Sequence, residues 1–266
     1  MNLVVKIIKI VFALVFTAYS LLIVYQLFLA PKEQRFHLAA NMQGVGLSQT
    51  MFSILNWQHP NYSDAFFERS VPFNKRGEYA IGFKYLDKAI EIEPEKHLDY
   101  RGYMKLRFLR DYQGALMDFD RLDNLTPDIV DAPWGEDIDF LRGESYYGLK
   151  DYAKAIECFQ RSVNNQGVDW ADVQTFVYDG LCNYELANYK EAISSYEEAL
   201  KQYEQTCEAY FGLGKTYLQL GDSLTASAYL KKAKENIRFK REDYYKEYLN
   251  EIYLEEIDDL LRKLEK

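Results

Sequence analysis

Cysteine, histidine and proline are scarce in this chain of 266 residues, which holds 3 Cys, 3 His and 6 Pro. Cys158, Cys182 and Cys207 are widely spaced and form no CxxC pair, so a disulfide framework and a thiolate zinc site are excluded. Each falls in a helical pattern, where cysteine acts as a small buried hydrophobe; an odd number leaves at least one unpaired within a monomer. His37, His59 and His97 have no metal-ligand spacing. No GxxxxGK loop, HExxH or GxSxG occurs, so phosphate-loop, zinc-hydrolase and nucleophile-elbow chemistry lack support. No catalytic residue, metal, cofactor or small-molecule substrate is therefore expected, and the chain reads as a non-enzyme. With 6 Pro and 14 Gly it is neither collagen-like nor linker-rich. Positive charge is short as well: 32 Lys and Arg against 41 Asp and Glu leave −9, which gives nucleic-acid binding little electrostatic support.

What is abundant is apolar and aromatic. Apolar residues make up 48% and aromatics 16%, with 23 Tyr, enough for a packed core. One apolar run stands apart. From Ile10 to Ala30 no charge occurs, and most residues are Leu, Ile, Val or Phe. As a helix this run spans roughly 32 Å, enough to cross a bilayer core of about 30 Å. Pro31 ends it, and bulky Phe28 two positions before Ala30 makes a poor signal-cleavage site. Residues 10–30 are thus expected to hold the chain in a membrane as an uncleaved anchor. Lys6, Lys9 and the α-amine precede the span, and Lys32 and Arg35 follow it. That small excess favours the N-terminus inside and the acidic remainder outside the cytoplasm, the arrangement of a bacterial inner-membrane protein.

Beyond the anchor the chain repeats itself. A small residue recurs at Gly82, Ala115, Ala155, Ala192 and Ala226, at spacings of 33, 40, 37 and 34. Four positions after each stands a large one: Leu86, Phe119, Phe159, Tyr196 and Leu230. Twelve positions before it, three copies carry Gly143, Gly180 and Gly214, while the first two have Ser70 and Tyr103. A glycine within a helix costs roughly 1 kcal/mol against alanine, so its recurrence at one phase points to two helices crossing closely. Each unit then reads as a helical hairpin, and stacked hairpins share a continuous core.

The phrases YFGLGKTYLQLGDSLTASAYLKKA and FLRGESYYGLKDYAKAIECFQ resemble the tetratricopeptide repeat family, with its L-G-x2-Y then A-x3-F spacing over about 34 residues. The resemblance covers about 64–236 and implies an all-α fold: a right-handed α-solenoid of about five repeats. The expected divisions are an anchor over 1–31, a juxtamembrane linker and N-cap over 32–63, the solenoid over 64–236, and a capping helix over 237–266. Leu249, Ile252, Tyr253, Leu260, Leu261 and Leu264 give the last segment a helical apolar stripe, so Arg238–Lys266 is expected as one long helix. The 40-residue step places an insertion at TPDIVDAPWGE. There Pro133 and Glu136 are expected to open the next helix. Trp134 either staples that helix to the stack or docks a partner.

The family resemblance implies that the first helix of each pair lines a concave groove. Phasing places Phe67, Tyr100, Phe140, Val177 and Phe211 in one row, and Arg107, Tyr147, Tyr184 and Leu218 in a second. Met104, Glu144, Leu181 and Lys215 fall between the rows. Such a groove suits an extended peptide or a partner helix. Relatives that hold chaperone C-termini use a Lys/Asn/Arg clamp on this face; Phe67, Val71 and Tyr100 stand at the corresponding positions, so that role is not expected. Phe67, Tyr100, Arg107, Phe140, Glu144, Tyr147, Tyr184, Phe211, Lys215 and Trp134 are the candidate partner-binding residues. The function that follows is a membrane-anchored scaffold for a protein or peptide partner. A toxin-immunity type of binding protein is the alternative, and an enzyme with an unrecognised site is a poorer one.

Overall fold

The computed structural model describes residues 3–244 and 246–265, which contain fourteen α-helices and no strand. The chain divides into two compact units, Met1–His97 and Leu98–Lys266.

In the first unit, α1 (Leu3–Val24) runs through a π turn, Tyr25–Leu29, into α2 (Lys32–Asn41) and α3 (Gly46–Gln58). The apolar stretch Leu3–Leu29 is 27 residues long, with none of its most apolar window buried. Bare Leu, Val and Phe over that length suit a lipid environment, as a membrane anchor or a signal sequence. Arg35, itself buried, donates to the Leu27 carbonyl at 3.1 Å and to Gln58, which ties the end of this stretch to α2 and α3. Ala39, Met51, Phe52, Leu55 and Ala65 form the local core, closed by the first helix of a hairpin, α4 (Ser63–Lys75). Its partner is α5 (Tyr79–Ile92).

From Leu98 on, the second unit stacks four hairpins. They are α6 (Pro94–Met104) with α7 (Tyr112–Leu125), α8 (Ile138–Gly148) with α9 (Tyr152–Gln166), α10 (Val173–Glu185) with α11 (Tyr189–Gln202), and α12 (Cys207–Gln219) with α13 (Ser223–Glu235). Residues 94–97 of α6 belong to the first unit. Ala115, Ala155, Ala192 and Ala226 are fully buried at the crossings. A Cβ on Gly180 would meet the Tyr196 ring at 2.6 Å, and one on Gly214 would meet Leu230 at 2.7 Å. The recurrent glycine thus makes room for the large residue sixteen positions on. In the second repeat the glycine is Gly102, against Phe119, one position earlier than the phasing at Tyr103. The cause is a π turn at Lys105–Leu109, which absorbs one extra residue before α7.

Each hairpin bends through a left-handed residue five positions before the small one: Gly77, Arg110, Lys150, Ala187 and Gly221, with φ between 52° and 79°. Asp111, Asp151 and Asp222 then cap α7, α9 and α13 by accepting a backbone N–H. The three cysteines are buried, and burial pushes the Cys158 thiol up to about 11 and the Cys207 thiol up to about 12.

The C-terminus differs from the expected single helix. Only α14 (Leu254–Leu264) is helical, with Ile257 fully buried against α13. After a short 3-10 turn at Ile237–Phe239, residues 240–244 and 246–253 form an irregular strap. The apolar spacing that suggested one helix serves two purposes. Leu260, Leu261 and Leu264 cap the stack, whereas Ile252 belongs to the strap.

Candidate functional site

The strap runs along the face built by the first helices of the second unit, and its polar groups meet theirs one by one. Arg107, placed by the π turn of the second repeat, pairs with both Glu136 and Glu144. Glu144, on α8, is fully buried. Arg241 enters from the strap with guanidinium nitrogens 3.4 Å from Glu144 and 3.4 Å from Glu136. Its backbone N–H donates to Glu208 at the start of α12. The guanidinium lies 3.7 Å from the Tyr248 ring centroid and 5.5 Å from that of Phe140. Further along, Lys246 donates to the Tyr103 hydroxyl, Glu247 accepts from Arg110 at 3.0 Å, and Asn250 donates to Gln174 at 2.8 Å. Ile252 belongs to the apolar cluster against which Phe211 and Leu218 pack.

The charges here act on one another through little water. Burial pushes the Glu144 carboxyl up, but Arg107 and Arg241 outweigh it and hold the group below the usual carboxylate range. Burial pulls Arg107 down, yet Glu144 and Glu136 hold it above its ordinary value, and Arg241 is raised in the same way, chiefly by Glu144. Glu208, which faces Arg241 mainly through one backbone N–H, is instead raised by burial. The groove side therefore contributes three carboxylates, Glu136, Glu144 and Glu208, against one buried guanidinium, Arg107. The strap brings the second guanidinium, Arg241.

The candidate residues fall into groups. Arg107, Phe140 and Glu144 come together around Arg241, and all three are buried, so they form a floor beneath the strap rather than an open surface. Tyr147 is half-buried, 5.3 Å from the Tyr178 ring and 5.7 Å from that of Tyr152, and belongs to the packing between hairpins. Tyr184, Phe211 and Lys215 form a second group, in which the Lys215 ammonium lies 4.8 Å from the Tyr184 ring and 5.7 Å from that of Phe211. Tyr100 and Trp134 pair at 5.5 Å. Trp134 is 59% exposed, with a left-handed φ of 55°, and also lies 6.0 Å from Tyr103. Phe67 lies in the first unit, stacked on His97 at 5.0 Å. The next helix is opened not by Pro133 and Glu136 but by Asp137, which accepts from the Asp139 and Phe140 N–H groups at 3.0 Å each. Glu136 is left free of helix duty and turns to Arg107.

Sequence reasoning missed Glu136, Glu208, Arg241, Tyr248 and Asn250, whose partners lie far away along the chain. It also missed a convergence in the first unit, where Asp64, Glu93 and His97 bring their ligand-type atoms within 4.8 Å of one another. The Lys96 ammonium sits 2.6 Å from Asp64 and 3.9 Å from Glu93, so a cation is already supplied there by the chain. Burial keeps His97 neutral, at about 4.

Profiles described as tetratricopeptide repeat match residues 183–239 and 137–166. Among solved structures, MamA from Desulfovibrio magneticus RS-1, from its residue 41 to the end, is similar over 66% of this chain and 96% of its own, with 20% identity and a TM-score of 0.58. YrrB, described as a TPR protein with an unusual peptide-binding site, is similar over 70% of this chain and 91% of its own, with 17% identity and a TM-score of 0.55. At these identities the likeness is one of fold. No curated protein matches the chain in sequence.

Proposed function

We propose that this chain, a tetratricopeptide-repeat protein, is a membrane-anchored scaffold that holds a peptide segment of another protein in the groove of its second unit. One observation carries this reading: the first helices of four successive repeats already hold an irregular segment, the strap, through buried side-chain contacts. A face that binds one non-helical segment by side-chain pockets and ion pairs has the chemistry to bind another. The fold shared with YrrB, a TPR protein described as having an unusual peptide-binding site, supports it. Tyr184, Phe211 and Lys215, each half-buried, are the groove residues through which we expect a partner to be felt.

In this reading residues 10–30 anchor the scaffold, and Lys6 and Lys9 before them favour a solenoid outside the cytoplasm. The anchor is tested by alkaline carbonate: the full-length chain should stay with the membranes, and its release would contradict the anchor. The scaffold is tested by placing a photo-crosslinking amino acid at Phe211 in native membranes, with Lys190 on the outer helix α11 as reference. A discrete partner adduct from Phe211 and none from Lys190 supports the groove. Adducts from Lys190 alone would move the site to the outer face.

A further inference from the structure

We infer that the strap is a displaceable stand-in for the ligand, and that the groove selects a partner segment carrying an arginine with an aromatic residue about seven positions after it. The inference rests on the proposed use of the groove as a peptide site, and goes beyond it by naming the chemistry of the occupant.

Charge comes first. Without the strap, Glu136 and Glu144 face Arg107 alone, Glu208 loses the Arg241 backbone N–H, and Glu144 is fully buried. Buried carboxylates need a cation, so an occupant without one leaves the floor uncompensated. Arg241 meets this need with a planar, forked group that reaches Glu144 and Glu136 together. Lysine, a single point charge, matches two carboxylates less well. The aromatic requirement comes from Tyr248, whose ring lies 3.7 Å from the Arg241 guanidinium and 5.3 Å from that of Arg107, so one ring covers both cations. Asn250 against Gln174 adds a register contact two residues on.

Displaceability follows from how the strap is attached. The core beneath Ile257, Leu260, Leu261 and Leu264 is closed by α14, which packs on α13 without the polar strap contacts. The strap between the two helices is irregular and is held by polar pairs and by Ile252, with one pair at the rim. Arg110 and Glu247 are 51% and 66% exposed in their side chains. That rim pair is worth little, and an occupant that brings its own arginine and ring replaces the buried contacts it displaces, so the strap can part from the groove while the cap stays in place.

The test uses the full chain in detergent and a fluorescently labelled synthetic peptide of residues 238–253, followed by anisotropy. In the Arg241→Ala/Tyr248→Ala variant the strap no longer competes. The peptide should then bind at least tenfold more tightly than to the parent. The same peptide with glutamate in place of the arginine should bind at least tenfold more weakly. Glu247→Arg, which disturbs the exposed Arg110 pair and the contact with the Tyr253 hydroxyl, should give a smaller gain. If the double variant loses its helical circular dichroism, Glu247→Arg decides alone. Equal binding to parent and opened variants, or no binding to any, would overturn the stand-in. The two readings separate cleanly. A crosslinked partner at Phe211 without peptide binding keeps the scaffold and removes the stand-in. Peptide binding without any crosslinked partner does the reverse.

Discussion

The hairpin crossings and the groove floor of the second unit hold together by opposite means. At the crossings, Gly143, Gly180 and Gly214 admit Phe159, Tyr196 and Leu230, and fully buried Ala155, Ala192 and Ala226 fit by shape alone. At the floor, Arg107, Glu144, Glu136 and Arg241 meet by charge in a place that excludes water. The crossings gain from apolar burial and tolerate no added volume. The floor tolerates no missing charge, because each group it loses strands another. A solenoid built by the first device alone would present an empty groove; the second device fills it with the chain's own strap.

The largest effect is expected where the two devices differ most. Glu144→Ala leaves Arg107 short of one of its two carboxylates and should destabilise the second unit by about 3 to 5 kcal/mol in chemical denaturation. Replacing the pair together, as Arg107→Met with Glu144→Leu, should recover most of that loss, since a buried pair of charges is often no better than apolar packing. A double variant as unstable as Glu144→Ala would mean that shape rules the floor as well.

Next comes the buried ring of the first unit, where burial rather than pairing decides the charge. Burial lowers His97 to about 4, with Asp64, Glu93 and Lys96 as the charged groups around it. The folded value lies below the unfolded one of about 6.5, so the unfolded chain takes up the proton first. The stability contributed by neutral His97 is present above pH 6.5 and is lost as the pH falls toward 4, by up to about 3 kcal/mol. His97→Phe, which keeps a ring against Phe67, should flatten that part of the stability profile. An unchanged slope would contradict the assignment.

At the crossings, Ala192→Leu should cost about 1 to 3 kcal/mol by overpacking. The smallest effect is favourable. Ala187 sits at a φ of 59° where two other repeats use glycine, so Ala187→Gly should raise stability by about 1 kcal/mol. A loss of stability there would mean that the bend is held by the side chain.

How much of this could be read from the sequence follows the same division. The crossings are written locally: glycine, small residue and large residue recur at fixed offsets within one hairpin, so a self-alignment finds them. The exception is the second repeat, where the π turn at Lys105–Leu109 shifts Gly102 out of phase by one. The left-handed bends at Arg110, Lys150 and Ala187 hid because glycine marks that position only at Gly77 and Gly221. The floor is written at long range, since Arg241 and Lys246 reach partners 97 to 143 positions away, and no local spacing announces such pairs. The strap reads as helix in the sequence because Leu249, Ile252 and Tyr253 share helical spacing with the true cap. Arg107, Phe140 and Glu144 were legible as groove residues, but not as residues already covered.

The central claim is that Arg241 of the strap compensates the buried Glu144 of the groove. A double-mutant cycle with Arg241→Gln and Glu144→Gln, read by chemical denaturation of the full chain in detergent, tests it most directly. The account predicts a coupling of about 1 kcal/mol or more between the two positions, 97 residues apart in sequence. Changes that simply add, with a coupling below about 0.3 kcal/mol, would contradict it and leave the groove without its strap.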